Sequence, residues 1–260
     1  MPRFTFEDMT LNELPTDFVR TAFPAGPVAA FEVRERSGVN VAEFAFPPDV
    51  MRTGGNVSSK TVWEWRGDEE SEQNIAATFA VTNAVTGQLA VNLVSRSNGA
   101  GAAANSGYLL VFRANEARLH LYRIDRVLAG DTELVDTGAG SAIADGTYVM
   151  TLSVFEQGSG TRCVASVATA AGSDVASFTL LDTNSARPTS GYAGVSSGQF
   201  NTTTLAMPTV WFERIDINYT PVAAQAADDR LRSSVSETTG SLLDAVDVRA
   251  VDASVSEAYT

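Results

Sequence analysis

The sequence predicts an all-β protein, built as a two-sheet antiparallel β-sandwich with extended N- and C-terminal arms. Short runs rich in Val, Thr, Phe and Tyr recur along the 260 residues. Turn-like linkers such as "VTGQ", "EQGSGTR" and "AAGSD" separate these runs at near-regular spacing, and no helical interval lies between them. Many short strands without helices are typical of sandwiches and barrels.

The individual strands follow from alternation of apolar and polar residues, which places successive side chains on opposite faces of a sheet. The first 24 residues begin with "FTFEDMTLNELPTDF" and predict one strand followed by an irregular arm. From there on we predict strands at Ala30–Arg36, Val41–Phe46, Thr61–Arg66, Asn74–Val81, Gln88–Ser95, Tyr108–Arg113, Arg118–Ile124, Glu133–Thr137, Thr147–Glu156, Thr161–Thr169, Val175–Leu181, Gly191–Ser196 and Val210–Tyr219.

The most regular stretch is a hairpin, "GYLLVFRANEARLHLYRIDRV", from Gly107 to Val127. Its first strand, "YLLVF", is apolar on both faces, so we expect it deep within a sheet. In the second strand Leu119 and Leu121 share one face, and the opposite face carries Arg118, His120 and Tyr122. One face of that strand therefore meets the core, and the other meets solvent or a partner.

The order of these runs from Asn74 to Ile217 resembles the concanavalin A-like lectin/glucanase fold, especially its laminin-G-like members. The pieces that carry the resemblance are "IAATFAV", "QLAVNLVSR", "SGYLLVFRANEARLHLYRI", "ADGTYVMTLSVFEQGSGTRCVASV", the Asp of "LLDTNSARPTSGYAGVSS" and "VWFERIDINY". The resemblance implies a jelly roll of two curved antiparallel sheets, with glycans on the concave sheet. A shared fold does not carry an activity with it.

The chain divides into three predicted regions. Residues 1–24 form an N-terminal arm, residues 25–222 the jelly-roll sandwich, and residues 223–260 a C-terminal extension. The extension is poor in large apolar groups and holds seven acidic residues and three arginines from Asp228 onward. Because it cannot bury a core of its own, we expect a neighbouring subunit to order it. The contacts would come from its apolar residues: Leu231, Val235, Leu242, Leu243, Val246, Val248 and Val251.

Composition excludes several classes of function. A formal net charge of −13 disfavours nucleic-acid partners. No apolar run reaches the roughly 20 residues of a membrane helix, and the N-terminus lacks the apolar core of a secretory signal, so we expect synthesis in a cytoplasm without export. The single Cys163 cannot form an intramolecular disulfide and is expected to be a small buried apolar residue.

Catalytic carboxylates do not form a convincing set. Glycosidases of this fold carry acidic residues alternating along one strand, and two carboxylates must lie about 5–10 Å apart. Here Glu69, Glu70 and Glu72 cluster in an expected loop, and Glu213 and Asp216 fall on opposite faces of their strand. We therefore expect no enzyme activity, with a glycosidase as a distant alternative.

The sequence also offers few residues for nucleophilic catalysis or for metal binding. The one histidine, His120, lies on a strand with no serine elbow nearby, and we expect it to be partly exposed. One Cys and one His cannot fill a zinc site. Asp182 and Asn184 are conceivable calcium ligands, as in some laminin-G-like domains, but the sequence predicts no metal and no cofactor. The "RGD" tripeptide at residues 66–68 is expected to be a turn, and residues 96–107 a long glycine-rich loop.

The candidate ligand-binding residues lie on two strands. Arg118, His120 and Tyr122, with Arg113 or Arg123 beside them, could bind a sugar, since rings stack on pyranose faces and arginine donates to hydroxyls. The alternative is a hydrated face or a subunit interface. The two rings of Trp63 and Trp65 share one face of another strand, where they form either a wall of the core or an aromatic platform. A third tryptophan, in "VWFERIDI", is expected in the core.

Two functions follow from these observations. The first is a structural or interaction protein without enzyme activity: a bacteriophage virion subunit, such as a capsid decoration, tail or fibre protein, that assembles through its sandwich and arms as a homo-oligomer or with other virion proteins. Its location would be the virion. The alternative is a carbohydrate-binding module that binds glycans, such as those of a host surface, on the concave sheet.

Overall fold

The computed structural model describes residues 3–13, 18–21, 30–45, 62–82, 84, 88–99, 105–125, 130–200 and 209–217. Its strands belong to one compact unit, residues 1–219. None of the described residues lies in an α-helix. The described strands are β1 (Arg3–Thr5), β2 (Phe18–Thr21), β3 (Ala30–Arg36), β4 (Val39–Ala45), β5 (Val62–Glu70), β6 (Gln73–Thr82), β7 (Gln88–Ser97), β8 (Ser106–Arg113), β9 (Arg118–Asp125), β10 (Gly130–Asp136), β11 (Gly146–Gln157), β12 (Gly160–Thr169), β13 (Asp174–Asp182), β14 (Gly191–Phe200) and β15 (Thr209–Ile217).

These strands form two antiparallel sheets, which confirms the predicted two-sheet β-sandwich. Sheet A has the order β13-β12-β11-β6-β15-β4-β3, and β1 continues along β15 beyond β4. Sheet B has the order β10-β9-β8-β7-β14-β5-β2. The strand β8, predicted to lie deep in a sheet, is the third of seven in sheet B. Among the described residues, no helix is long and apolar enough to cross a membrane.

The core lies between the sheets and is filled by alternate residues of each strand. Phe79 of β6 stacks on Tyr148 of β11 at 5.9 Å between ring centroids. Phe112 of β8 approaches Phe79 from the other sheet at 6.3 Å. Cys163 is fully buried in this cluster, as predicted, and burial raises the pKa of its thiol to about 12. A buried, protonated thiol is unreactive.

The described part of residues 1–24 pairs with both sheets. The first strand, β1, pairs with β15 in sheet A, and β2 pairs with β5 in sheet B. Phe4 and Phe18 enter the core side by side, 4.9 Å apart between ring centroids. This segment thus supplies two strands where the sequence predicts one, because its few aromatic residues are enough to hold two short pairings. The C-terminal extension, residues 223–260, lies outside the described residues.

Three local predictions are wrong. Glu69 and Glu70 end strand β5 instead of lying in a loop, and the "RGD" tripeptide lies within the same strand instead of a turn. The predicted loop 96–107 is shorter, because residues 96–97 end β7 and residues 106–107 begin β8. In each case pairing with a neighbouring strand extends a segment that its own composition does not mark as β.

Trp211 is also not in the core. Its neighbour Phe212 is fully buried, whereas Trp211 lies half-buried on the outer face of sheet A. There the guanidinium of Arg36 sits 5.3 Å from the centre of the indole ring, a cation–π contact. Alternation predicts that Phe212 and Trp211 face opposite ways, but it does not say which of the two faces inward.

Candidate functional site

The outer face of sheet B brings polar side chains into rows that run across the strands. Residues directly opposite each other on paired strands share a face. The pairings Ser196–Asn92, Asn92–Val111, Val111–His120 and His120–Asp136 therefore form one row over five strands. We call this the His120 row. It faces away from the core, because Leu119 and Leu121, which alternate with His120, are core residues.

His120 is buried at the centre of strand β9, with 2% of its surface exposed. The prediction of a partly exposed histidine is therefore wrong, because neighbouring side chains surround it. Its Nδ1 lies 2.6 Å from Oε1 of Glu133. A carboxylate only accepts, so Nδ1 carries the hydrogen and donates it. The other ring nitrogen, Nε2, is buried and has no hydrogen-bond partner among the residues that the structure describes.

Tyr122 stands beside His120 on the same face. The two rings are stacked, with centroids 5.9 Å apart and planes inclined by 18°. Tyr122 is half-buried, and burial, followed by the charge of Glu133, raises the pKa of its hydroxyl. The two rings thus lie against each other on one face of β9, although His120 itself is buried.

Asn92 occupies the His120 row two strands away, on β7. The inter-strand spacing of about 4.8 Å puts its Cα ~10 Å from that of His120. Its amide Nδ2 donates to Oγ of Ser196 at 3.3 Å. Its Oδ1 is buried and accepts no hydrogen bond from any described residue. Between Asn92 and His120 lies Val111, 7% exposed, which gives the row an apolar floor.

The arginines of this face are held by carboxylates. Arg113 and Arg118 are direct cross-strand neighbours in the row beside the His120 row. Arg118 Nε donates to Asp136 Oδ1 at 2.6 Å, and Arg118 also pairs with Glu116. Hydrogen bonds from Arg118 and from the backbone N–H of Gly138 lower the pKa of Asp136 well below its usual range. The charges of Arg118 and Asp136 therefore largely cancel each other.

A metal ion fits this face poorly. His120, Glu133 and Asp136 have ligand atoms within 4.8 Å of one another. The carboxylate of Asp136, however, is held by Arg118 and Gly138, and that of Glu133 accepts from His120. A cation would have to displace a guanidinium that already neutralises the site. The cluster is better described as a set of ion pairs that orients the imidazole.

Arg123 lies on the opposite face of β9 and does not belong with His120. Its Nη1 contacts both carboxylate oxygens of Asp182, at 2.9 and 3.0 Å. The hydroxyl of Tyr108 donates to Asp182 Oδ2 at 2.9 Å, and burial raises the pKa of that hydroxyl far above its usual range. This buried trio ties sheet B to sheet A. Since Arg123 and Tyr108 occupy its carboxylate, Asp182 is not arranged as the calcium ligand considered from the sequence.

A second buried cluster centres on Arg96, which sequence reasoning missed as a functional or structural residue. Its side chain is fully buried. Nη1 donates to Glu156, Thr161 and the carbonyl of Pro188, and Nη2 to the carbonyl of Ser71. Burial acts to raise the pKa of Glu156, but hydrogen bonds from Arg96, Thr161 and Arg187 together lower it. The only signal in the sequence is a charge that interrupts the alternation of "LVSRS".

The backbone around Arg96 explains how an arginine enters the space between the sheets. Arg96 has a positive φ of 53°, and the pairing of β14 with β7 shifts register at this point, so an extra residue turns inward as a β-bulge. Gly191 of β14 lies against the Arg96 and Ser97 backbone with no room for a Cβ. The carbonyl of Gly191 accepts from Gln73 Nε2 at 2.5 Å.

For the remaining predicted site residues the structure describes at most the backbone register. The register pairs Trp63 with Val195 and Trp65 with Ala193, both of which belong to the core. Glu64, between the tryptophans, pairs with Gly194, and Val62 pairs with Ser196, so these two positions of β5 share a face with the His120 row. The candidate arm contacts Leu231, Val235, Leu242, Leu243, Val246, Val248 and Val251 lie outside the described residues.

The prediction that Glu213 and Asp216 fall on opposite faces of β15 is wrong, because the register shift between Phe212 and Arg214 places both on the outer face of sheet A. Glu213 is exposed at a register shift, whereas Asp216 is 3% exposed. The carboxylate of Asp216 lies 2.7 Å from Nε of Arg3 and 2.7 Å from Nε of Arg214. An acid held by two arginines is a structural ion pair, and it does not pair with Glu213 across a substrate.

Comparison with known proteins gives likeness in structure alone. No family model and no curated protein matches the sequence. Among solved structures, a legume lectin-like domain from Entamoeba histolytica is 8% identical with a TM-score of 0.49, covering 79% of this chain and 91% of that one. The carbohydrate recognition domain of Emp47p is 11% identical with a TM-score of 0.49, covering 82% and 92%. Lectin II from Ulex europaeus is 10% identical with a TM-score of 0.45, covering 83% and 97%.

Proposed function

We propose that this chain is a non-enzymatic carbohydrate-binding module, and that the His120 row on the outer face of sheet B is its binding surface. One observation carries the proposal. Two buried acceptors, Nε2 of His120 and Oδ1 of Asn92, lie in one row without a hydrogen-bond partner among the described residues. Buried polar atoms are nearly always paired, and an unpaired one costs about 1–3 kcal/mol.

The chemistry of the row suits a sugar. Both unpaired atoms are acceptors, so they need donors, and the hydroxyl groups of a saccharide donate in several directions. Val111 between them offers an apolar floor for the C–H groups of a sugar ring, and Tyr122 offers a ring face beside it. A few fixed polar groups on an apolar surface is the usual arrangement of a small-molecule site.

The charges of this face favour a neutral glycan. The guanidinium of Arg118 is already paired with Asp136 and Glu116, and Arg113 lies 3.7 Å from Glu116. Neither is available to neutralise a carboxylate or sulfate at low cost. The formal net charge of −13 opposes acidic ligands further. We therefore expect hexose or N-acetylhexosamine ligands ahead of uronic or sialic acids.

A glycan array probes this proposal. We expect the wild-type chain to bind neutral glycans and His120→Phe to lose that binding, because phenylalanine keeps the ring next to Tyr122 but removes both nitrogens. Asn74→Ala is the matched control, since Asn74 is half-buried on the outer face of sheet A. The proposal is overturned if the wild-type chain binds no glycan on the array, or if His120→Phe binds as well as the wild type.

The predictions of a virion subunit and of a virion location depend on contacts made by residues 223–260. These residues lie outside the described part of the chain, and no described residue favours either prediction. Deletion of residues 227–260 is expected to leave the sandwich folded and to reduce assembly. Size-exclusion chromatography of the truncated and full chains would measure this, and an unchanged oligomer would contradict it.

A further inference from the structure

The terminal strand β13 of sheet A differs from the other three terminal strands of the described sheets. Strand β3, at the other end of sheet A, carries four charged residues, and the backbone of residues 12–13 pairs with Val33 through hydrogen bonds of 2.8 and 2.9 Å. Strand β10 has three acidic residues and a bulge, and β2 has only four residues. Charges, bulges and shortness are the usual protections of an edge.

Strand β13 has none of these protections over its main length. From Val175 to Leu181 the sequence "VASFTLL" has no charge and no proline. Its register with β12 is unbroken from Ala176 to Asp182. Ser177, Thr179 and Leu181 are exposed. A straight, uncharged edge presents free N–H and C=O groups to another strand.

An apolar patch continues from this edge onto the outer face of sheet A. Leu181 is 40% exposed and Val164 is 37% exposed. Because Val164 pairs with Thr179 and Leu181 pairs with Arg162, the two apolar side chains are diagonal neighbours on one face. They lie next to the unprotected edge, where a second strand would cover Leu181.

We propose that two copies of this chain dimerise by antiparallel pairing of their β13 strands, which joins the two A sheets into one. The segment is self-complementary about Phe178. A twofold axis there sets Ser177 opposite Thr179, Ala176 opposite Leu180, and Phe178 opposite Phe178 of the partner subunit. Hydroxyl pairs and aromatic pairs are favourable cross-strand neighbours, and no like charges meet between Val175 and Leu181. At each end of the strand Asp174 lies opposite Asp182 of the partner subunit, and Arg123 of the same chain already pairs with each Asp182. An interface of this kind closes by symmetry at two subunits.

Analytical ultracentrifugation of the full chain at about 0.15 M salt tests the dimer, because that ionic strength screens most of the repulsion between two chains of net charge −13. We expect a concentration-dependent dimer for the wild type. In Ser177→Lys/Thr179→Lys, lysines lie opposite lysines at both pairs, and we expect the dissociation constant to rise at least roughly tenfold. The control Thr132→Lys/Ser141→Lys adds the same charge at exposed positions outside β13 and is expected to dimerise as the wild type does.

Charge reversal distinguishes strand pairing from a general effect of charge. Mixing the lysine variant with Ser177→Glu/Thr179→Glu sets lysine opposite glutamate at both pairs, so we expect a heterodimer to form where neither variant dimerises alone. Any one of three results would overturn the proposal. These are a wild type that is monomeric at every concentration, a lysine variant that dimerises as well as the control, and a mixture of the two variants that stays monomeric.

Discussion

Two polar regions of this sandwich are both buried, but they differ in how the hydrogen bonds of their side chains are satisfied. Between the sheets, Arg96 and Arg123 find carboxylates, hydroxyls and carbonyls from distant parts of the chain. On the outer face of sheet B, Asn92 and His120 are buried to a similar degree, yet each keeps one acceptor atom without a described partner. The first region is a network of charged groups that joins two sheets and leaves one buried donor, Nε of Arg96, without a described partner, whereas in the second the unpaired buried atoms are acceptors.

This difference distinguishes residues that stabilise the fold from residues that we propose bind a ligand. A buried charge is tolerated only when its partners are supplied by the fold itself. A neutral acceptor costs much less when left unpaired, so a chain can keep one for a ligand. The comparison therefore predicts large losses of stability from changes between the sheets, and small losses of stability with loss of binding from changes in the His120 row.

The largest expected effect is that of Arg123→Met. It leaves the carboxylate of Asp182 buried, with hydrogen bonds from Tyr108 and the backbone N–H of Asn184 but no cation. Removing one partner of a buried pair costs about 3–5 kcal/mol. Urea unfolding followed by tryptophan fluorescence measures the free energy of unfolding. Arg34→Met, which breaks a partly exposed pair with Glu32, is the control and should cost at most about 1 kcal/mol. Equal losses in the two variants would refute the contrast.

Alkaline pH should weaken the interior through Cys163. Its pKa is raised to about 12 in the folded chain from an ordinary value of 9. The unfolded chain therefore loses the proton first as pH rises, so this stability is complete below pH 9 and is lost between pH 9 and 12. We expect the free energy of unfolding to fall by roughly 2–3 kcal/mol between pH 8 and 11. The fall should be smaller in Cys163→Val, and a fall of the same size in both would exclude the thiol as its cause.

A smaller effect on stability is expected for Asn92→Leu. The change removes one weak hydrogen bond to Ser196 and also removes a buried unpaired acceptor, so the free energy of unfolding should change by no more than about 1 kcal/mol. Glycan binding should nevertheless disappear. Unfolding and binding are measured on the same preparation, and a loss of several kcal/mol would show that Asn92 is structural.

The smallest effect concerns Asp136 on the exposed side of the His120 row. Arg118 and Gly138 lower its pKa, so its contribution to stability is present above about pH 4 and is lost as the pH falls below that value. In Asp136→Asn, the free energy of unfolding should fall slightly less steeply than in the wild type as the pH drops below about 4. If the free energy of unfolding depends on acid pH as it does in the wild type, the pair with Arg118 contributes nothing measurable to stability.

The sequence predicts the sheets better than it predicts the polar networks. Alternation in "ARLHLYRI" places Leu119 inside and His120 outside, because strand periodicity is a local property. The partners of Arg96 come from 25 to 92 residues away along the chain, and no local pattern encodes such contacts. The bulge that turns Arg96 inward likewise depends on the register of β14 against β7.

The candidate site was predictable in part for the same reason. Tyr122 and His120 share a face by alternation alone. Asn92 joins them only through two strand pairings. Arg123 falls on the other face by alternation along β9, and the register of the tryptophan positions follows from the pairing of β14 with β5. A face of one strand can be predicted from sequence, whereas a row across five strands requires the register.

The most direct measurement uses the fact that His120 is the only histidine of the chain. In a ¹⁵N-labelled sample, its two ring nitrogens give the only imidazole signals, and a neutral glycan can be titrated in while both are observed. We expect the Nε2 signal to shift with saturation as the ligand donates to it, while Nδ1, held by Glu133, moves little. An Nε2 signal that stays unchanged while a glycan binds the chain would contradict the assignment of this row as the binding surface.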